Sequence, residues 1–378
     1  MTALTSTRPI EVADHIRRMK PYHPGRPIEE VQREYGLTDI IKLASNENPL
    51  GPSPGALKAM QEACVRVWLY PDGACHDLRQ ALAQHLDVDP SMVALGNGSD
   101  ELIQYLGLAF LQPGDEVLQA HPTFVRYEAA AILGKCDCIS VPLRSYKHDL
   151  DAMADACTER TRLIFIANPN NPTGTMNTRA EVARFLSRLP SRAIAVFDEA
   201  YFEYVEEEDY PDSVSLVRQG HNVFVLRTFS KAYGLAGARV GYAAANAQLI
   251  HYLNQVREPF NVNLIAQAGA LASLDDPDQV ERTRQLNREA KAYLYRTFGE
   301  LGLEYIPSVA NFVMVDVRRP ASLVAREMER RGVIIRPGES FGTPTFIRVT
   351  TGTMPECEKF ASALREVLAI PATTGAES

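Results

Sequence analysis

The sequence has little cysteine and no long apolar run. Six cysteines in 378 residues are too few for a disulfide framework. The pair Cys136 and Cys138 has no second pair at zinc spacing. Free thiols in a reducing cytosol are therefore expected. No stretch approaches the roughly 20 apolar residues of a membrane helix, so no membrane partner is expected. The opening stretch, MTALTSTRPIEVADHIRRMK, lacks the apolar centre of a signal peptide. Glu11 and Asp14 weaken a transit-peptide reading, which leaves the cytoplasm. Basic residues are in deficit, 39 against 47 acidic, for a net charge of −8. That disfavours a nucleic-acid partner. Low-complexity tracts, internal repeats, a G-x-S-x-G turn and a Walker A lysine are also missing. The eight histidines show no metal-ligand spacing, so no metal is expected.

The composition that remains is 46% hydrophobic and 23% charged, ordinary for a globular protein. The length suits two or three domains. Residues 1–50 form a Pro-rich lead-in with one short helix candidate at 28–35, expected to lie along a neighbouring unit. From about 55 to 270, strand-type runs (92–95, 116–119, 138–141, 163–167, 193–197, 223–226, 239–243) alternate with helix-length segments (100–111, 123–133, 150–157, 179–189). This alternation predicts right-handed crossovers and a mainly parallel sheet covered by helices. A helix at 247–256 with Asn246 as its N-cap and a long helical stretch from 264 to 300 follow. Strands at 311–317, 333–336 and 346–349, with helices at 322–331 and 355–367, read as a smaller α+β unit. Gly332 suits a left-handed cap after the first of these helices. The expectation is an α/β chain: residues 51–270 as a large three-layer domain, 271–378 as a small α+β domain, and 1–50 packing with the small one.

Five polar clusters each follow a strand: 96–100, 122–124, 168–174, 198–201 and 228–231. Ligands of open parallel sheets bind outside the carboxyl ends of strands, so the shared placement predicts one site. Gly98-Ser99-Asp100 opens a helix, whose N-terminal amides suit a phosphate; a plain N-cap at Ser99 or Asp100 is the simpler alternative. Asp198 ends an apolar run and is expected to be buried, in need of a cation or donor. A protonated ring nitrogen, a salt bridge or a cap would each serve. Lys231, beside hydroxyls and glycines, is a candidate Schiff-base lysine, although most lysines are solvated charges. Arg239 suits a phosphate or stands exposed. His121 reads as structural, and the acidic run 206–209 as an exposed loop.

Taken together, the residues resemble the fold type I aminotransferases that use pyridoxal 5′-phosphate: Asn168-Pro-Asn-Asn-Pro-Thr-Gly174, Asp198-Glu-Ala-Tyr201, and Ser230-Lys231 with Arg239. A narrower similarity, to histidinol-phosphate aminotransferases, rests on the stretches 43–54, 70–73, 96–103, 227–237 and 346–353, and on Pro21-Tyr22. The resemblance runs from about residue 20 to 365. It implies an aspartate-aminotransferase-like fold and transamination between histidinol phosphate and 2-oxoglutarate. It implies Lys231 as the cofactor-bearing lysine and proton carrier, Asp198 against the pyridinium nitrogen, and Asn171 and Tyr201 on the phenolic oxygen. Phe124 would stack on the ring, where tyrosine is common in relatives. Ser99, Asp100, Thr228, Ser230 and Arg239 would hold the phosphate. Tyr70 would reach that phosphate from a second subunit, which implies a homodimer with shared sites. Arg348 would anchor the acidic end of the substrate, with Tyr22, Asn46 and Arg336 lining the pocket and Phe260 as an apolar neighbour. An aromatic amino acid transaminase and an amino-acid-phosphate decarboxylase share these cofactor residues and stay open. So does a non-enzymatic sensor of the same fold, although no DNA-binding extension is expected.

Overall fold

The computed structural model describes residues 11–19, 21 and 25–369. A seven-stranded sheet runs in the order Val93–Gly96, Gly241–Ala245, Val223–Thr228, Ile194–Asp198, Thr161–Ala167, Glu116–His121, Asp137–Pro142. Only Gly241–Ala245 is antiparallel to its neighbours. Six carboxyl ends therefore lie along one edge. All seven expected strands are present, shifted by at most two residues at their starts.

Six of the strands are buried on both faces, as a helix-covered parallel sheet requires, whereas the edge strand Asp137–Pro142 is largely exposed. Successive side chains alternate between two cores. Ala195, Phe197, Val223 and Val225 belong to one, with Leu78, Met153, Phe185, Val217 and Ala266 from its helices. Ile194, Val196, Phe224 and Leu226 belong to the other, with Leu106, Tyr127 and Leu253.

A four-stranded antiparallel sheet, in the order Arg336–Pro337, Phe346–Thr350, Phe312–Asp316, Tyr305–Ile306, carries a third core. Helices Ala321–Glu329 and Met354–Ala369 pack on it. The segment Ile41–Lys42 pairs with Val333–Ile334, and Leu43 joins this core.

Local chemistry explains several boundaries. Asn246 caps Ala247–Val256, accepting from the Leu249 amide as the sequence suggests. The stretch 264–300 is two helices, Leu264–Leu274 and Pro277–Glu300. Asp276 caps the second through the Gln279 amide, and Pro277 stands at its first turn. The segment expected to start a helix at 123 becomes helical only at Arg126. The Thr123 hydroxyl donates instead to Asn170 Oδ1 at 2.8 Å. Helix Pro54–Cys64 is opened by the Ser53 hydroxyl; with His76–Leu86, it falls in a stretch where the sequence reading names no element.

Candidate active site

A cavity of about 610 Å³ opens along the edge where the strands end, with the small sheet as its far wall. Ser99, Asp100, Phe124, Asn171, Asp198, Tyr201, Thr228, Ser230, Lys231 and Arg239 line it, together with Asn46, Arg336 and Arg348. Tyr22 lies outside the described residues. Tyr70 is 82% exposed, away from this cavity, and stacks on Phe260 with ring centroids 4.7 Å apart. In the single chain Phe260 does not line this cavity; its half-exposed ring lies on the outer surface against Tyr70.

Asp198 is the last residue of its strand and only 6% exposed. Tyr127 donates its hydroxyl to Oδ2 at 2.7 Å, and the Ala200 amide donates to Oδ1 at 3.2 Å. Among the described residues no lysine, arginine or histidine is ion-paired with it. Burial pushes the carboxyl up to about 6, and the bonds from Tyr127 and Ala200 pull in the opposite direction. A buried carboxylate facing a cavity without a cation is matched to a cationic ligand atom.

Lys231 is half-buried and donates from Nζ to the Ser45 carbonyl at 3.1 Å. Burial, then the charge of Arg348, lower its ammonium to about 8. An amine made easier to deprotonate in this way is a competent nucleophile near neutral pH. Nζ lies 5.7 Å from the centre of the Tyr201 ring. The Tyr201 hydroxyl accepts from Asn46 Nδ2 at 2.9 Å, and Asn46 Oδ1 accepts from the Thr350 hydroxyl at 3.1 Å. Asn46 is therefore tied into the cavity wall on both sides of its amide.

The opposite corner is built for an anion. Helix Ser99–Phe110 has Gly98 as its N-cap, and no side chain caps it. This corrects the simpler expectation that Ser99 or Asp100 would cap it, and it leaves the first-turn amides turned toward the cavity. Arg239 holds φ 63° and sets its guanidinium beside Asp100 at 3.8 Å and Ser230 Oγ at 3.5 Å. Gly98 holds φ 79°, a left-handed conformation that strains any residue with a side chain, and a Cβ there would also push on the guanidinium 2.5 Å away. A Cβ on Gly241 would meet the Ser99 amide at 2.6 Å.

On the far wall, Arg348 and Arg336 are direct cross-strand partners. Their guanidinium carbons lie 5.5 and 6.0 Å from the Phe341 ring centre. Arg348 donates to the Ala44 carbonyl at 2.8 Å and to Asn171 Oδ1. That second bond ties a residue of the strand-end cluster to the small sheet.

Comparison with known proteins agrees with this constellation. The sequence profile of the family "Aminotransferase class I and II" matches residues 38–364. The chain belongs to that aminotransferase family. It is 53% identical to the histidinol-phosphate aminotransferase of Moorella thermoacetica over 94% of this chain and 92% of the relative. It is 47% identical to the enzyme of the same name from Caldicellulosiruptor saccharolyticus, over 93% and 99%. Its structure resembles that of histidinol-phosphate aminotransferase from Sinorhizobium meliloti in complex with pyridoxal-5′-phosphate. The TM-score is 0.87 at 30% identity, over 96% and 98% of the two chains.

In this aminotransferase the residues that sequence reasoning missed are supporting ones. Tyr127, whose hydroxyl holds Asp198, sits on helix Arg126–Leu133 and had no motif to mark it. The Ser45 carbonyl lies inside the quoted stretch 43–54, yet nothing in the spacing joins it to Lys231. Phe341 between the two arginines comes from the short helix Gly338–Phe341, which the alternation pattern does not reveal.

Proposed function

We propose that this chain is a pyridoxal 5′-phosphate-dependent transaminase moving the amino group of histidinol phosphate to 2-oxoglutarate. The products are imidazole acetol phosphate and glutamate, a step of histidine synthesis. The observation that carries the reading is the name shared by relatives that align with more than nine-tenths of the chain. The cavity supports it.

The residues present fit the cofactor. A buried carboxylate without a cation faces the space that a protonated pyridine would fill, and an uncapped helix end beside Arg239 suits its phosphate. When bound, pyridoxal phosphate supplies a carbonyl for amines and an electron sink for the carbanion. In this reading Lys231 is its covalent anchor and moves the proton at the donor's α-carbon. Asp198 keeps the ring nitrogen protonated, and Phe124 stacks on the ring. Ser99, Asp100, Thr228, Ser230 and Arg239 hold the phosphate. Asn171 and Tyr201 donate to the phenolic oxygen. With Arg348 on Asn171 Oδ1, the amide's Nδ2 is the atom left to make that bond. Arg336 and Arg348 take the acidic end of the substrate, with Asn46 in the same cavity wall. Like charges directly opposite in a sheet are unfavourable, and an anion between them offsets this. A net acidic chain thereby holds a cationic wall.

The working molecule in this reading is a cytoplasmic homodimer in which Tyr70 reaches the partner's phosphate site. Its support is an exposed apolar ridge, with Val65, Trp68 and Tyr70 at 75%, 79% and 82% exposure. No helix among the described residues is long and apolar enough to cross a membrane. Residues 51–270 and 271–369 act as two lobes, with helix Leu264–Leu274 crossing that boundary and packed on Pro54–Cys64 of the larger. Ile41–Lys42 pairs with the smaller lobe, whereas Asp14–Arg17 lies on helix Arg126–Leu133 of the larger.

Steady-state rates with 2-oxoglutarate as acceptor test the substrate. Histidinol phosphate is expected to exceed phenylalanine and tyrosine in kcat/KM. The reverse order makes the chain an aromatic amino acid transaminase, and carbon dioxide release from an amino-acid phosphate makes it a decarboxylase.

A further inference from the structure

The Tyr127 ring touches two walls of the cavity at once. Its hydroxyl donates to Asp198 Oδ2 at 2.7 Å. Its ring stands edge-on to Phe124, with centroids 5.7 Å apart and planes at 81°. Behind it, Phe165 stacks flat at 4.5 Å and 5°. The side chain is fully buried, so its hydroxyl requires a partner, and the bond to Asp198 is the one it makes. Helix Arg126–Leu133 brings Tyr127 to the sheet face that Asp198 also occupies.

We propose that Tyr127 is a positioning residue: it holds the Asp198 carboxylate ionised and aimed into the cavity while bracing the Phe124 ring. This rests on the reading that Asp198 faces the ring nitrogen of the cofactor. A phenol that donates to a carboxylate favours the charged form. That matters here because burial acts in the opposite direction, and Asp100 and Glu199 also push the Asp198 proton affinity up. Of the groups around Asp198, Tyr127 and the Ala200 amide are the donors that act directly on the carboxylate. Arg239 is paired with Asp100 at 3.8 Å, and Lys231 is bonded to Ser45. Without the phenol the carboxylate keeps one donor and retains its proton to higher pH. A neutral acid no longer stabilises a cationic ring nitrogen.

The test uses the holoenzyme and compares wild type, Tyr127→Phe, Asp198→Asn and the double variant. Phenylalanine keeps the ring and its stack on Phe165, and circular dichroism with thermal melts confirms the folded state. In Tyr127→Phe, kcat is expected to fall about tenfold, and the acid limb of kcat/KM to move up by about one pH unit. Below pH 7, pyridoxal phosphate, titrated by absorbance, is expected to bind about tenfold more weakly to this variant. In the Asp198→Asn background the same change is expected to add almost nothing, because its route runs through the carboxylate. A packing role gives equal losses in both backgrounds and an unmoved acid limb, and that result overturns the proposal. If Asp198→Asn itself leaves cofactor affinity and rate unchanged, the reading of Asp198 fails, and the role of Tyr127 falls with it.

Discussion

Asp198 and Glu199 are neighbours in sequence, both acidic and both buried, with opposite surroundings. Strand alternation sends them to opposite faces of the sheet. Asp198 meets Tyr127, a backbone amide and open cavity. Glu199 meets Arg227, whose Nε and Nη2 each lie 2.9 Å from Oε2. The guanidinium of Arg227 also lies over the Phe202 ring at 3.4 Å. A charge paired inside the protein is part of the scaffold. A charge buried without a counter-ion is a cost to the empty protein that a cationic ligand removes. The two carboxylates thus separate the structural from the functional use of burial.

The same contrast orders the expected effects of substitution. The largest belongs to the cavity itself. Lys231→Ala is expected to lose at least about 10⁴-fold in turnover and the borohydride-trapped adduct seen by mass spectrometry. Residual turnover with the adduct retained would move the catalytic role to another residue.

Asp198→Asn and Glu199→Gln sharpen the comparison directly. The first is expected to lower kcat by about 10²-fold or more. The second should leave kcat within a few-fold but cost the fold about 3 kcal/mol, because Arg227 keeps its charge without its partner. Denaturant melts of the two proteins with cofactor removed should therefore move in opposite directions.

The pH dependence carries the sign of the difference. The Asp198 carboxyl is raised from the ordinary 3.8 to about 6 in the fold. Between these values the folded chain binds more protons than the unfolded one, so this group's contribution falls as pH rises through the interval. The loss reaches about 3 kcal/mol by neutral pH. Asp198→Asn removes it, so the cofactor-free variant should gain stability over wild type at pH 7 and lose that gain near pH 4. A constant difference across this range would break the argument.

Smaller effects belong to the rim. Arg348→Gln is expected to raise KM about tenfold for donors with an acidic end, with kcat less affected. Tyr70→Phe should change cofactor affinity by only a few-fold. Light scattering at increasing concentration tests whether a second copy covers the ridge around Trp68.

Much of this site was legible because it is periodic and local. Strand-type runs alternate with helices, and polar residues follow the strands, so Lys231, Asp198, Asn171 and Arg239 could be brought to one edge before any coordinates. The break at Asp276-Pro277 carried a signal too, a capping aspartate followed by proline, which the reading of 264–300 as one helical stretch passed over. What stayed hidden was non-local. The contacts of Tyr127 with Asp198 and of Arg348 with Asn171 span 71 and 177 residues of chain, and no spacing rule reaches that far.

The sequence by itself determined the parallel architecture and the gathering of polar clusters at the strand ends, because hydrophobic period and turn chemistry act over a few residues; the roles of the individual cavity residues came from the family resemblance. Only the tertiary structure decided which face each acid occupies, which one finds an arginine, and which donor holds the one that does not. Those outcomes depend on how the two cores and the small sheet close around the strand ends, where burial turns ordinary side chains into strongly coupled ones.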